Sequence, residues 1–550
     1  MNTDINTGDD IFRIHTGQTP AAGISPAMVG NKAFGLLRMV GAGIRVPPGF
    51  VLGTTCCRRY FENDNHLPDS LMAGIQEHIR WLETVTGKGL GSKRNPLVLS
   101  VRSGAPVSMP GMMETLLNIG INDETVRGLI RSTGNPRLAW DSLRRLIQNY
   151  AEVVHATDPD VFDDVLKQCM KQEGLKHIDE LDSVALRNLC SGYKHLYRSE
   201  TGEDFPRDPW HQVYQAVSAV FDSWSSKRAV TYRKLNHIDP STGTACLVES
   251  MVFGNAGVKS GSGVGFTRNP ANGANELFID YLANAQGEDI VSGRYNVDDM
   301  NAVSRKLPTV FSELQTIKQQ LETEFSDMQD FEFTVQQGEL FLLQTRNGKR
   351  TPMAGLHIAI DLAEEGIIAT DQAIDMVDAI DLDSLYVSRL KQPVESAPLA
   401  SGVIASTGVA TGMIALDEER CREYSAKGKP VVLVRKEIST NDIGAMSLVD
   451  SVVTVTGSKT SHAAVVARQL GIACIVGCHS LEIDKKRRCI HIGDQVFSEG
   501  DFLTLDADHG HLYAGQLDIE KKRPEDLLKR IEEWRGMQPQ PARSMDKIVN

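Results

Sequence analysis

The sequence predicts an α/β chain with α+β character, and three stretches predict it. Residues 452–476 read as strand, glycine loop, helix, glycine stop and second strand. Short β-rich runs separated by glycine turns fill residues 245–343, and helical periodicity dominates residues 123–235. At roughly 100–200 residues per domain, a chain of 550 residues holds about three or four folded units. With 41% hydrophobic and 23% charged residues, it can bury several cores without disulfides or structural metals. The net charge of −13, from 58 Lys+Arg against 71 Asp+Glu, lacks the basic footprint of a nucleic-acid groove. Apolar runs stay short of the 18 or so residues that argue a membrane span. Residues 1–10 lack the basic and apolar regions of a secretory signal, and nine scattered cysteines suit reduced thiols. A cytoplasmic location, with neither nucleic acid nor membrane as partner, is expected.

Taken in order, Met28–Lys32 reads as a loop leading into a helix to Val40, a Gly41-Ala42-Gly43 stop, and a strand at Phe50–Leu52. Leu97–Val101 is β-rich and ends in the Gly/Pro/Met loop 102–113. The helical stretch has prolines at 136, 159, 206 and 209, read as breaks. Strands are expected at Ala245–Val252, Gly263–Phe266, Glu276–Ile279, Phe331–Val335 and Leu340–Leu343, and helices over 353–390. A Pro/Ser/Ala-rich stretch at 392–398 reads as a linker before a small α/β unit at 399–516, and one amphipathic helix follows near Pro524–Trp534. The expected division is 1–240 with a helical insert at 120–235, then 241–350, 351–398, 399–517 and 518–550.

Chemistry concentrates in four places. His462 opens the helix after Gly457-Ser458-Lys459-Thr460-Ser461. Free N–H groups and the dipole at a helix start favour a dianion, small and hydroxylic neighbours fit around phosphate, and a neutral imidazole is a competent nucleophile near pH 7. Gly457-Ser458-Lys459-Thr460 is not a Walker A loop, which needs glycine directly before the lysine. Second, the strands around Asp330-Phe331-Glu332 and Gln344-Thr345-Arg346 flank a Gln337-Gly338 turn. Alternation puts Asp330 and Glu332 on one face, and Gln344 and Arg346 on one face of the partner, offering carboxylates for Mg²⁺ and a guanidinium for phosphate. Third, Arg102-Ser103-Gly104-Ala105 leads into Ser108-Met109-Pro110-Gly111-Met112-Met113, a plausible phosphate cradle. Fourth, Ser260-Gly261-Ser262-Gly263-Val264-Gly265-Phe266-Thr267 is glycine-rich but precedes a strand, so it is not a dinucleotide fingerprint. Cys474, Cys478 and His479 lack zinc-ribbon spacing and read as core or surface thiols.

Thr460-Ser461-His462-Ala463-Ala464-Val465-Val466-Ala467-Arg468 resembles the phosphohistidine signature of the pyruvate, phosphate dikinase and phosphoenolpyruvate synthase family. The Ser-Met-Pro-Gly-Met-Met run and Asp327–Thr351 are similar to the same family, and the resemblance covers Met28 to Leu517. It implies an ATP-grasp nucleotide-binding domain with a helical insert and a swivelling α/β phosphohistidine domain. His462 is then the residue phosphorylated. Lys32, Arg102, Thr267, Asp330, Glu332, Gln344 and Arg346 bind ATP, with Glu332 and Gln344 at the Mg²⁺–phosphate end. Arg144 or Arg145 reaches the same site. Gly457, Lys459, Thr460, Ser461 and Arg468 surround the phosphohistidine. Ser458 and Lys459 stand where the family has Gly and Met, so Lys459 either steadies a phosphoryl group or signals a different acceptor.

Family members add a (β/α)₈ barrel of about 250 residues, and only about thirty residues follow Leu517 here. The expectation is a half-reaction in which ATP phosphorylates His462, giving AMP, with the γ-phosphoryl passing to phosphate or water. A separate acceptor-binding subunit or barrel protein is the expected partner, and a homo-oligomer is compatible with the same reading. The acceptor is pyruvate or, in a phenylphosphate synthase-like component, a phenol or other alcohol. A stand-alone ATP-hydrolysing or regulatory module is the alternative.

Overall fold

The breaks expected at prolines in the helical insert are present, three of them as Asn-Pro or Asp-Pro helix starts. The computed structural model describes residues 10–537 except positions 20, 108, 110, 111, 176, 292–297, 299, 384, 393, 395, 439–441, 458 and 460. Pro136, Pro159 and Pro209 each occupy the first turn of a helix, Pro136–His155, Pro159–Glu173 and Pro209–Ser223. There the missing N–H costs nothing and the fixed φ suits the helix. Asn135, Asp158 and Asp208 cap them, their side chains accepting from the N–H groups of Leu138, Asp160 and Trp210.

The chain divides into two compact units, Met1–Gly261 with Thr334–Thr345, and Ser262–Phe333 with Arg346–Asn550. The first contains a five-stranded antiparallel sheet in the order Ile11–Ile14, Gly49–Leu52, Ala245–Ser250, Leu99–Gly104, Thr115–Ile119. The central strand Ala245–Ser250 is buried at every position, and the helices Pro26–Gly41 and Pro209–Ser223 pack on this sheet. The insert contributes much of the main core, including Leu143, Ile147, Tyr150, Tyr193 and Tyr197.

Within that insert Asp141 is buried between Arg144 and Arg145, accepting from each Nε at 2.9 Å. Burial alone would raise its carboxyl, but the Arg145 and Arg144 guanidiniums override that and hold it below the ordinary range. Arg144 and Arg145, one or the other of which was expected at the nucleotide site, both pair with Asp141 on their own helix. Asp141→Asn is expected to destabilise this unit by about 3–5 kcal/mol, because it strands two guanidiniums beside a neutral amide. A depressed folded-state pKa contributes stability above the unfolded value of about 3.9, lost as pH falls through the folded value. Denaturant melts of both proteins should therefore show a large gap at pH 7 that narrows below about pH 4.

The second unit begins with a sheet whose strand order is Phe278–Ala283, Gly261–Phe266, Gln329–Gln336, Glu339–Asn347, although 334–345 group with the first unit. Gln337 and Gly338 both have positive φ, 52° and 89°, as a tight two-residue hairpin turn requires. The helices expected over 353–390 are present, and only the end of that span is corrected. Helices span Pro352–Glu364 and Thr370–Asp378, whereas Val387–Leu390 is a strand paired antiparallel with Ile519–Lys522. The tail helix Glu525–Met537 packs against those two helices through Leu528, Ile531 and Trp534.

Residues 400–514 supply an eight-stranded sheet. Val409–Ala415, Val431–Arg435, Ser451–Thr454 and Ala473–Val476 are mutually parallel neighbours at its centre. Antiparallel strands complete both sides. A three-stranded sheet, Leu481–Asp484, Cys489–Ile492 and Gln495–Ser498, lies on its core. Among the described residues, no helix is long and apolar enough to cross a membrane.

Candidate active site

Gly30 decides where Lys32 goes. Its φ of 73° interrupts the helix Pro26–Gly41, and a Cβ there would overlap the Gly104 carbonyl. That close approach lets Asn31 N–H bond Ala105 O at 3.1 Å and Lys32 Nζ bond Ser103 O at 3.1 Å. Arg102, one residue before Ser103, donates to Glu249 Oε2 and Leu343 O, each at 3.5 Å. Leu343 precedes Gln344, so Lys32, Arg102 and the strand bearing Gln344 come together in the first unit.

Sequence reading missed Glu249, which sits beneath these cations at 2% exposure. Burial pushes its carboxyl up, against the fields of Arg102 and Lys32, and its Oε1 has no partner among the described residues. Gly49, its cross-strand neighbour, leaves the space, since a Cβ there would come within 3.0 Å of Glu249 Cγ. The available signal was a carboxylate inside the otherwise apolar strand Ala245-Cys246-Leu247-Val248.

The second unit carries Thr267, Asp330, Glu332 and Arg346. Asp330 is 5% exposed and accepts from Arg346 Nε at 2.8 Å, while burial raises its carboxyl in spite of Arg346. Glu332 is half-buried two residues on. Phe331 and Phe333 point the other way, where Gly263 and Gly265 make room for their rings. The glycines of the 260–267 run thus fix the strand that presents Asp330 and Glu332. Thr267 is fully buried, its Oγ1 accepting from Gln329 N–H at 3.0 Å.

The His462-bearing segment leaves the carboxyl end of the parallel strand Ser451–Thr454, where α/β sheets gather ligands. Gly457 turns the loop with φ 127°. Ser461 caps the helix His462–Leu470, its hydroxyl accepting from Ala464 N–H at 3.5 Å, and Gly471 ends it in the left-handed conformation. Ala463, Ala464 and Ala467 anchor the helix in the sheet's core. Ser458 and Thr460 lie outside the described residues.

Arg468 is fully buried. Its Nη1 donates to Ala405 O and to Lys459 O, both at 2.9 Å, and so holds the loop before His462. Its guanidinium lies 5.3 Å from the Phe266 ring centre, and Lys459 Nζ lies 4.4 Å from that of Phe278. The two rings meet edge to face at 6.2 Å. Nε and Nη2 of Arg468 have no partner among the described residues, and burial pulls the group down to about 10, opposed by Cys474, Asp330 and Asp280. Two cations of the His462 segment thus sit on two aromatic rings from the Asp330 sheet. Burial pushes the Cys474 and Cys478 thiols up to about 12, which suits core packing and not metal ligation.

Residues 63–313 and 302–366 match the family model described as pyruvate phosphate dikinase, AMP/ATP-binding domain. Residues 427–510 match that described as PEP-utilising enzyme, mobile domain. The pyruvate, phosphate dikinase of Clostridium symbiosum is 39% identical over 510 residues, covering 92% of this chain and 58% of that protein. Pyruvate, phosphate dikinase 2 of Zea mays is 40% identical over 508 residues, covering 92% and 57%. The Rhizobium meliloti pyruvate, phosphate dikinase is 38% identical over 536 residues, covering 95% and 60%. The sequence therefore spans a little over half the length of these relatives.

Proposed function

The chain belongs to the pyruvate, phosphate dikinase family, and from that premise we propose that it is an ATP-dependent phosphotransferase that phosphorylates His462. The observation carrying this is the position of His462 as the first residue of a capped helix at the carboxyl end of parallel strands. The matching AMP/ATP-binding region in the same chain supports it.

In the proposed reaction the imidazole attacks the β-phosphorus of ATP and the bond to the α-phosphate oxygen breaks, releasing AMP. The γ-phosphoryl group leaves as pyrophosphate when phosphate takes it and as phosphate when water does. Lys32, Arg102 and Arg346 supply cations for phosphate oxygens, and Asp330 holds the Arg346 guanidinium. Glu332 and Gln344 offer hard oxygen donors, a set that fits Mg²⁺. When bound, the ion neutralises charge on the polyphosphate. Positioning and charge neutralisation carry the rate. The phosphoryl group then passes to pyruvate, or to a phenol or other alcohol, at a site outside these residues. The scattered thiols suit a reducing, cytoplasmic setting.

Incubation with ATP radiolabelled in either the β- or the γ-phosphate tests the reading. β-Labelled ATP should leave acid-labile, alkali-stable label on the protein with equimolar AMP, while γ-label should sit on His462 only as part of the pyrophosphoryl group and be gone once phosphate or water has taken it. Label from the γ position without label from the β position, or none from the β position, would sink the proposal. Label that appears and is then lost to water without an acceptor would mark a hydrolytic module.

A further inference from the structure

The three-stranded sheet Leu481–Asp484, Cys489–Ile492, Gln495–Ser498 has two unlike faces. Alternation turns Leu481, Ile483, Ile490, Ile492 and Phe497 toward the domain core. The other face carries Glu482, Asp484, Cys489 and His491. Register makes Asp484 the cross-strand partner of Cys489, and Glu482 that of His491. Two carboxylates, a thiol and an imidazole therefore form a two-by-two block of directly opposed pairs.

One donor atom from each of Asp484, Cys489 and His491 lies within 4.8 Å of the others. Cys489 Sγ and His491 Nε2 are 3.7 Å apart. In a tetrahedral zinc site, with Zn–S of about 2.3 Å and Zn–N of about 2.0–2.1 Å, adjacent sulfur and nitrogen ligands are roughly 3.6 Å apart. The observed separation already matches one edge of that tetrahedron.

The carboxylate is held in place independently. Asp484 Oδ1 accepts from the N–H groups of Lys486 and Arg487 at 2.9 and 3.0 Å, which fixes the carboxylate on the strand. Arg487 approaches Oδ2 only to 3.8 Å, and at 80% exposure its side chain can withdraw into solvent. Cys489 also differs from the other eight cysteines, each of which packs in an apolar cluster. It is 6% exposed, yet its neighbours across the ladder are Asp484 and Ser498.

We propose that Asp484, Cys489 and His491 bind a zinc ion on the outer face of this sheet. A thiolate and an imidazole beside carboxylates select zinc over Mg²⁺, which prefers six oxygens in octahedral geometry. On binding, the Cys489 thiol releases its proton to solvent and sulfur donates to the metal, so binding tightens with rising pH. The ion ties Leu481–Asp484 to Cys489–Ile492. None of this rests on the phosphotransfer reading.

Cobalt(II) titration of the chelator-treated full chain tests it. One equivalent should produce a near-ultraviolet thiolate-to-metal band and intense visible bands of tetrahedral coordination, and zinc should remove both. Cys489→Ser should abolish the near-ultraviolet band, while Asp484→Asn and His491→Ala weaken cobalt binding about 10-fold or more. Cys478→Ser should leave the spectrum unchanged. Absence of the bands in the unmodified chain, their persistence in Cys489→Ser, or full affinity in His491→Ala would each overturn the site. Far-ultraviolet circular dichroism of each variant separates ligand loss from misfolding, and His491→Ala decides the matter if Cys489→Ser does not fold.

Discussion

His462→Ala is expected to abolish acid-labile labelling by β-labelled ATP and to lower protein-dependent AMP formation by about a thousandfold or more. The other groups of the proposed site bind charge, and none of them accepts a phosphoryl group in its place. Lys32 and Arg102 are donors held by Ser103 O, Glu249 and Leu343 O. Asp330 already pairs with Arg346. Folding should survive, because Ala463, Ala464 and Ala467 anchor the helix and Ser461 caps it. Nucleotide affinity, read by calorimetry, should stay within a factor of about 2 of the unmodified chain, since the lost group enters only the transfer step. If the alanine variant labels as fast as its parent, the phosphohistidine reading is wrong.

What was legible in the sequence was local. Gly457, Ser461 and Gly471 mark a loop, a cap and a stop within fifteen residues, so the cassette around His462 could be placed before any coordinates. Gln337-Gly338 announced its hairpin for the same reason. What escaped depends on residues far apart in the chain. Val387–Leu390 becomes a strand only because Ile519–Lys522 returns beside it, and no signal within 353–390 carries that pairing. Glu249 lay in a stretch read simply as strand, because its meaning comes from Lys32 and Arg102 on other elements. Gly263 and Gly265 were read as strand residues, and their use in seating Phe331 and Phe333 depends on a strand some seventy residues away. Proline marked the breaks between helices, but not on which side of each break it would sit. The same residue that ends a helix from inside is favoured at its first turn, and only the preceding Asn or Asp separates the cases.

Arg468→Met is expected to slow labelling of His462 by about a hundredfold while leaving nucleotide affinity unchanged. Arg468 acts as a positioning residue. Its Nη1 bonds hold the Lys459 and Ala405 carbonyls, and its ring contact with Phe266 ties the His462 segment to the sheet that presents Asp330. Methionine fills much of the same volume but can neither donate to a carbonyl nor hold the loop, and a displacement of about 1 Å at a reacting group costs on the order of a hundredfold. Stability should respond differently. Losing two hydrogen bonds to carbonyls costs about 0.5–1.5 kcal/mol each. Removing a fully buried cation, two of whose nitrogens lack partners and whose charge burial disfavours, offsets that cost. The net change should stay within about 2 kcal/mol of zero. A large fall in labelling with a nearly unmoved melting temperature therefore separates positioning from a merely structural role. Lys459→Met provides the companion measurement, because it removes only the cation over Phe278, a contact worth about 0.5–2 kcal/mol. If Arg468→Met labels at the unmodified rate, its two carbonyl bonds are packing and the loop before His462 is held by something else.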